Sequence, residues 1–204
     1  MAYPQPIQKL IDIFTKFPGI GPRQASRFVF YLQKNGLADE FISALRELKN
    51  IGFCRQCYRT TEEKIELCSF CKDPKRDSSA IAVIEKESDM QNMEKTGAYS
   101  GLYHILGGLI SPLDSDSPKK LHLKELFGRV KNLLEKDGKC EVILATGTTT
   151  EGDMTALYID RVLAPLKDQF KDLKISRLGR GLSLGSELEY ADEVTLKNAL
   201  TNRK

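Results

Sequence analysis

Histidine is scarce in this sequence of 204 residues: there are two, His104 and His122. Both fall in segments that read as core strand or helix start, with no acid and nucleophile beside them. A histidine-based triad and a multi-histidine metal site are excluded on that ground. Long apolar runs are lacking too. The longest uncharged stretch, Thr96 to Leu113, holds four Gly, one Pro and two Ser, which is the composition of strand and loop rather than of a membrane span. The opening MAYPQPIQKLIDIF has neither an uninterrupted apolar core nor a small-residue cleavage site, so the expected compartment is the cytoplasm. Neither charge sign dominates, with 31 Lys+Arg against 28 Asp+Glu. At 41% hydrophobic and 29% charged residues the chain is not disordered throughout. Its length allows one large domain, or two to three small modules around one main core.

What is present begins with five cysteines. Four form two pairs, Cys54-x-x-Cys57 and Cys68-x-x-Cys71, separated by the ten residues Tyr58 to Leu67. Each pair brings two thiolates to one ion, and two pairs complete a tetrahedron at ~2.3 Å per Zn–S bond. Sulfur fills all four positions, which leaves no place for a reactive water. The expected group is one structural zinc per chain, contributing on the order of 10 kcal/mol to a module too small for its own core. The rival reading, a pair of redox motifs, lacks the helix that follows such a motif in thioredoxin-like proteins. Cys140 opens the apolar run CEVILAT and reads as a small core residue.

Charge is unevenly spread. Residues 1–76 carry 13 basic and 8 acidic groups, the remainder 18 and 20, and residues 1–35 hold five bases against one acid. A basic front on a near-neutral body suits a polyanion, although a merely solvated helical face gives the same balance. Helical periodicity places Ile7, Leu10, Ile11 and Phe14 on one face, and Ala25, Phe28, Val29 and Leu32 on another. A third helix is expected over about 38–50. Between the first two lies Pro18-Gly19-Ile20-Gly21-Pro22. Gly19 and Gly21 allow positive φ and close approach of their amides. The helix after Pro22 points free N–H groups outward, and Arg23 and Arg27 stand one turn apart inside it. Together these form a sequence-independent phosphate grip of the helix-hairpin-helix kind. The alternative is a plain helix–helix corner.

From about residue 80 the rhythm changes. Ile81–Ile84, Tyr103–Leu106, Val142–Ala145 and Leu173–Leu178 read as strands. Helices are expected over about 88–96, from Ser117-Pro118 through Leu134, after Thr150, and over Thr195–Leu200. Strands alternating with helices imply a mainly parallel sheet covered on both faces.

PGIGP, then paired cysteines, then an acid-tipped strand in an α/β tail, with LKNIGFCRQC, Ser111-Pro112-Leu113-Asp114, ILAT…TEGDMTALYI and GSELEYADEVTL, resembles the RecR family of bacterial recombination mediators over essentially the whole chain. The resemblance implies an α+β multi-module fold: a helix-hairpin-helix module (1–53), a four-cysteine zinc finger (54–77), a Toprim domain (78–174) and a C-terminal dimerising segment (175–204). It implies a homodimer or homotetramer ring that clamps single-stranded, duplex or gapped DNA near the nucleoid. It also implies work with RecO and RecF to load RecA at gaps in recombinational repair. Gly19, Gly21, Arg23 and Arg27 match the DNA-contacting turn. The chain departs from the family at Gly147-Thr148, where Asn-Pro is usual, and at Ser183 and Ser186, where Pro and Gly are usual.

Toprim enzymes hold Mg²⁺ with a Glu ending the first strand and an Asp-x-Asp after a later one. Glu85 stands at the first position with Asp89 four residues on, and Glu151-Gly152-Asp153 stands at the second. Asp114-Ser115-Asp116 reads as a helix start. With no placed Tyr nucleophile, the expected site is degenerate, keeping Glu85, Asp89, Glu151 and Asp153 for partner contacts or weak Mg²⁺ binding. The Gly179-Arg180-Gly181 to Gly185 loop lacks the Gly-Lys-Ser/Thr of a P-loop. The expectation is no enzyme. The alternatives are a Mg²⁺-dependent Toprim nuclease or strand-transfer enzyme using Glu85, Glu151 and Asp153, and a zinc-finger adaptor without a DNA role.

Overall fold

A computed structural model describes residues 3–62, 65–182, 185 and 187–203. They divide into two compact units, Met1–Ile51 and Gly52–Lys204.

The first unit is helical: α1 (Gln5–Phe14), α2 (Pro22–Lys34) and α3 (Ala38–Glu47), the last running into a 3-10 turn at Leu48–Asn50. Ile11, Ala25 and Val29 form its buried centre, with Ile7, Phe14 and Ile20 packed against them, as the 3.6-residue spacing requires. Gly36 takes φ +64° just past α2, the left-handed conformation that ends a helix cheaply only with glycine.

The second unit opens on a short antiparallel pair, β1 (Gly52–Phe53) with β2 (Thr60–Thr61). One turn of helix, α4 (Ser69–Lys72), follows Cys68. The main sheet comprises β3 (Asp77–Ile84), β4 (Gly101–Ile105), β5 (Cys140–Leu144) and β6 (Leu173–Arg177) in the order β4-β3-β5-β6. Every pairing is parallel. Between these strands run α5 (Glu87–Thr96), α6 (Leu123–Asp137) and α7 (Thr150–Gln169), and α8 (Glu193–Thr201) comes last. On central β3, Ile81 and Val83 enter the cluster with α6 and α7, whereas Ala82 and Ile84 enter a second one with Met90 and Tyr103. Side chains that alternate between two apolar layers account for the wholly apolar run Ile81–Ile84, which a strand covered on both faces needs.

Three sequence expectations are adjusted. The helix expected from Ser117-Pro118 is a 3-10 turn, Ser117–Lys120, and α6 starts at Leu123. Leu121 is extended and buried, and the His122 amide bonds to the Leu106 carbonyl at 3.1 Å. Burying Leu121 breaks the helix there. The second and third concern element bounds alone: β1 ends at Phe53, and β6 runs over Leu173–Arg177 where the expected strand reached Leu178. Ser183 and Ser186 lie outside the described residues.

Candidate metal centre and nucleic-acid interface

The β1–β2 turn carries the first cysteine pair. Its tightness forces Tyr58 to φ +65°, the one non-glycine residue with positive φ among those described. The Tyr58 amide bonds to the Cys54 carbonyl at 3.0 Å, and the Cys54 amide to the Arg59 carbonyl at 2.9 Å. Cys68 sits at the start of α4 and its amide donates to Cys54 Sγ at 3.3 Å. The four sulfurs lie within 4.8 Å of one another, and Cys57 Sγ is 3.5 Å from Cys68 Sγ. Tetrahedral ligation at ~2.3 Å per bond needs sulfurs ~3.8 Å apart, so the set fits a four-coordinate metal ion. Three of the cysteines are buried and Cys71 is partly so. A hydrogen bond to Cys68 pushes the Cys57 thiol up to about 12. Cys68, accepting from Cys57 and then Cys71, is pulled well below the ordinary thiol value.

The module is fastened to the sheet. The Ile105 amide of β4 bonds to the Cys57 carbonyl at 2.9 Å. Arg59 pairs with Glu87 at 3.1 Å, and the Thr60 amide donates to the same carboxylate at 3.0 Å. Phe70 of α4 lies under two guanidinium groups, Arg76 at 4.4 Å and Arg59 at 4.8 Å from its ring centre. Sequence reading passed over Glu87, Glu94 and Arg129 because their partners are distant in the chain.

In the helical unit, Thr15 closes α1 through its amide to Ile11 and its hydroxyl to the Asp12 carbonyl, both at 2.9 Å. Gly19 takes φ +79°, a conformation that side chains strain to adopt. It turns the chain so that Ile20 tucks against the buried centre. Gly21 is extended and precedes Pro22 at the first position of α2. Space around both glycines is open, since a Cβ at either would meet nothing within 4 Å. Arg23 and Arg27 are exposed on α2, and among the described residues neither pairs with a carboxylate. Open amides at a helix start beside two unpaired guanidinium groups can take a phosphate.

At the carboxyl end of the sheet a cavity of about 410 Å³ is lined by Glu85, Asp89, Thr146, Arg177 and Arg180 among others. Glu85 follows β3, 3.9 Å from Lys86 Nζ. Asp89 caps α5, accepting from the Lys86 amide at 3.2 Å. Glu151 is exposed in the first turn of α7. Asp153 accepts from both Arg177 and Arg180, which hold its carboxyl below the ordinary range, Arg177 most. Among the described residues the four cysteines are the one group of three or more metal-capable side chains that converges. The four acids do not. Gly152 explains the EGD spelling: a Cβ there would lie 2.0 Å from the Gly147 carbonyl oxygen. The Asp114-Ser115-Asp116 acids pair with Lys120 and Lys119, each at 2.7 Å, and Asp116 stands at the start of the 3-10 helix Ser117–Lys120, as the helix-start reading expects.

A parallel four-stranded sheet with acids at its carboxyl edge, following a tetracysteine module, defines a Toprim-type protein. The Toprim domain family model matches residues 79–179, and the model described as "RecR, C-terminal" matches residues 181–204. The chain is 44% identical to the recombination protein RecR of Streptococcus uberis, covering 100% of this chain and 98% of that protein. It is 43% identical to that of Cutibacterium acnes (98% and 96%) and 43% identical to that of Staphylococcus aureus (100% and 98%). The chain belongs to the RecR family of recombination proteins. No helix among the described residues is long and apolar enough to cross a membrane.

Proposed function

We propose that this chain is a non-catalytic DNA clamp and mediator of recombinational repair in the cytoplasm. Its binding is sequence-independent, on single-stranded, duplex or gapped DNA, and with RecO and RecF it helps load RecA at gaps. The observation that carries the reading is Arg23 and Arg27, exposed at an open helix start and without a carboxylate partner among the described residues. Four modules serve it: 1–53 grips DNA, 54–77 holds one structural zinc, 78–174 meets partners, and 175–204 joins copies. Cys54, Cys57, Cys68 and Cys71 would hold the zinc, which when bound ties the knuckle and α4 together. The helical unit supports self-association. An apolar groove of about 330 Å³ between Leu10, Val29, Phe41 and Ile42 suits another copy of this chain, giving a dimer or a tetramer ring.

A non-enzymatic role is supported by the engagement of Asp153 with two arginines and of Asp89 with a helix cap, which leaves few free carboxylate oxygens for Mg²⁺. A gel-shift titration tests the reading. Arg23→Ala with Arg27→Ala should weaken binding to all three DNA forms while leaving the circular dichroism unchanged. Unaltered affinity defeats the clamp. Mg²⁺-dependent cleavage of labelled DNA that Glu85→Gln abolishes would make the protein a nuclease instead.

A further inference from the structure

Besides the exposed Arg55 inside the knuckle, three arginines pack about the cysteine module, and two of them have acids: Arg59 pairs with Glu87 and Arg76 with Glu94. The third, Arg129 of α6, is 7% exposed. Its Nη1 donates to two carbonyls, that of Gln56 at 3.0 Å inside the Cys54–Cys57 knuckle and that of Tyr103 on β4. Its Nε and Nη2 are buried with no partner among the described residues. Among the described residues no carboxylate lies within the 4.0 Å of an ion pair, although Glu66 and Glu125 line the neighbouring cavity with Arg55 and Lys136. A buried guanidinium cannot shed its proton, so it needs negative charge from elsewhere.

We infer that Arg129 is the counter-charge of the tetracysteine metal centre, holding the loaded knuckle against β4. The balance is simple. Four thiolates on a divalent ion leave two net negative charges next to the Gln56 carbonyl that Arg129 grips. The same geometry makes Arg129 a positioning residue, since the Cys57 carbonyl bonds to Ile105 one residue further along the knuckle. The inference rests on reading the quartet as a metal site.

The test uses the full chain loaded with Co²⁺ or Zn²⁺, titrated with a competing chelator and read by the cobalt–thiolate absorbance or by released zinc. Arg129→Gln should give up its metal at about tenfold lower chelator than the natural protein, and Arg129→Lys, which keeps the charge, within about threefold. Arg129→Gln with a native circular dichroism spectrum and unchanged metal retention overturns the inference. So does Arg129→Lys losing metal as readily as Arg129→Gln. A thermal melt separates charge from hydrogen bonding: the Arg129→Gln drop should be larger in metal-loaded than in metal-stripped protein. Equal drops mean that only the two carbonyl contacts matter, which overturns it. If the natural protein takes up no metal at all, the reading of the quartet fails first, and visibly so.

Discussion

The helical unit and the sheet unit each carry a pair of arginines, in opposite circumstances. Arg23 and Arg27 stand on α2 in solvent with no acid among the described residues to answer them, on a unit whose buried centre is Ile11, Ala25 and Val29. Arg177 and Arg180 converge on Asp153, beside a core of seventeen buried residues that runs through β3, β5, α6 and α7. One unit leaves its arginine pair unanswered and the other pairs its own, while apolar side chains stand open on both, Phe17 and Leu48 on the first and Leu113, Leu157 and Tyr190 on the second. A surface with unanswered charge is suited to a polyanion, whereas one with paired charges over a deep core is suited to holding shape.

The largest expected effect is removal of a metal ligand. Cys68→Ser should abolish metal uptake, measured as bound zinc after gel filtration. Metal binding is worth on the order of 10 kcal/mol to such modules, so the knuckle should unfold. Hydrogen exchange should then quicken at the Arg55 and Ile105 amides, which bond to Glu66 and Cys57, while α1 and α2 stay protected. Equal loss of protection in both units would erase the division between them. Next is Gly152→Ala. Its new methyl meets backbone rather than a flexible side chain, and overpacking of that kind costs about 3 kcal/mol. A urea titration checks it, the expected result being a lower midpoint at unchanged slope.

Much of this was legible in the chain. The cysteine spacing located the module, apolar periodicity located α1, α2 and the four strands, and PGIGP located the turn. The start of α6 was not legible, because Leu121 is drawn into the core by the sheet above it and no local signal reports that. The fate of the Toprim acids was hidden for a similar reason. Asp153 meets Arg177 and Arg180 across twenty-four and twenty-seven positions of sequence, and acid-x-acid spelling says nothing about what sits opposite. Arg129 reads as one polar residue on an amphipathic helix until its carbonyl partners at Gln56 and Tyr103 are seen.

The arginine pairs themselves give the smaller effects. Replacing Arg23 and Arg27 by Ala should leave stability within about 0.5 kcal/mol, as for other exposed positions. The slope of log affinity against log salt should become shallower by about two, because each phosphate contact removed takes roughly one counterion with it. An unchanged slope would mean that these side chains face solvent only.

Asp153→Asn probes the opposite case. Its ion pairs are partly exposed and salt-screened, so the loss of stability should be about 1 kcal/mol or less. The sign with pH follows from the depressed carboxyl. The unfolded chain takes up its proton near the ordinary value of ~3.9, before the folded one does. The stabilisation is therefore complete above that pH and disappears as the solution is acidified through the folded value. Denaturant midpoints of the natural protein and of Asp153→Asn should differ at pH 7 and draw together as the pH falls below ~3.9. The more telling readout is DNA. With Asp153 neutral, Arg177 and Arg180 lose the partner that distinguishes them from Arg23 and Arg27. Affinity at low salt should then rise and the salt slope steepen by up to about two. If it does not, pairing is not what keeps this end of the sheet away from phosphate, and the contrast between the units lies in their shape instead of their charge.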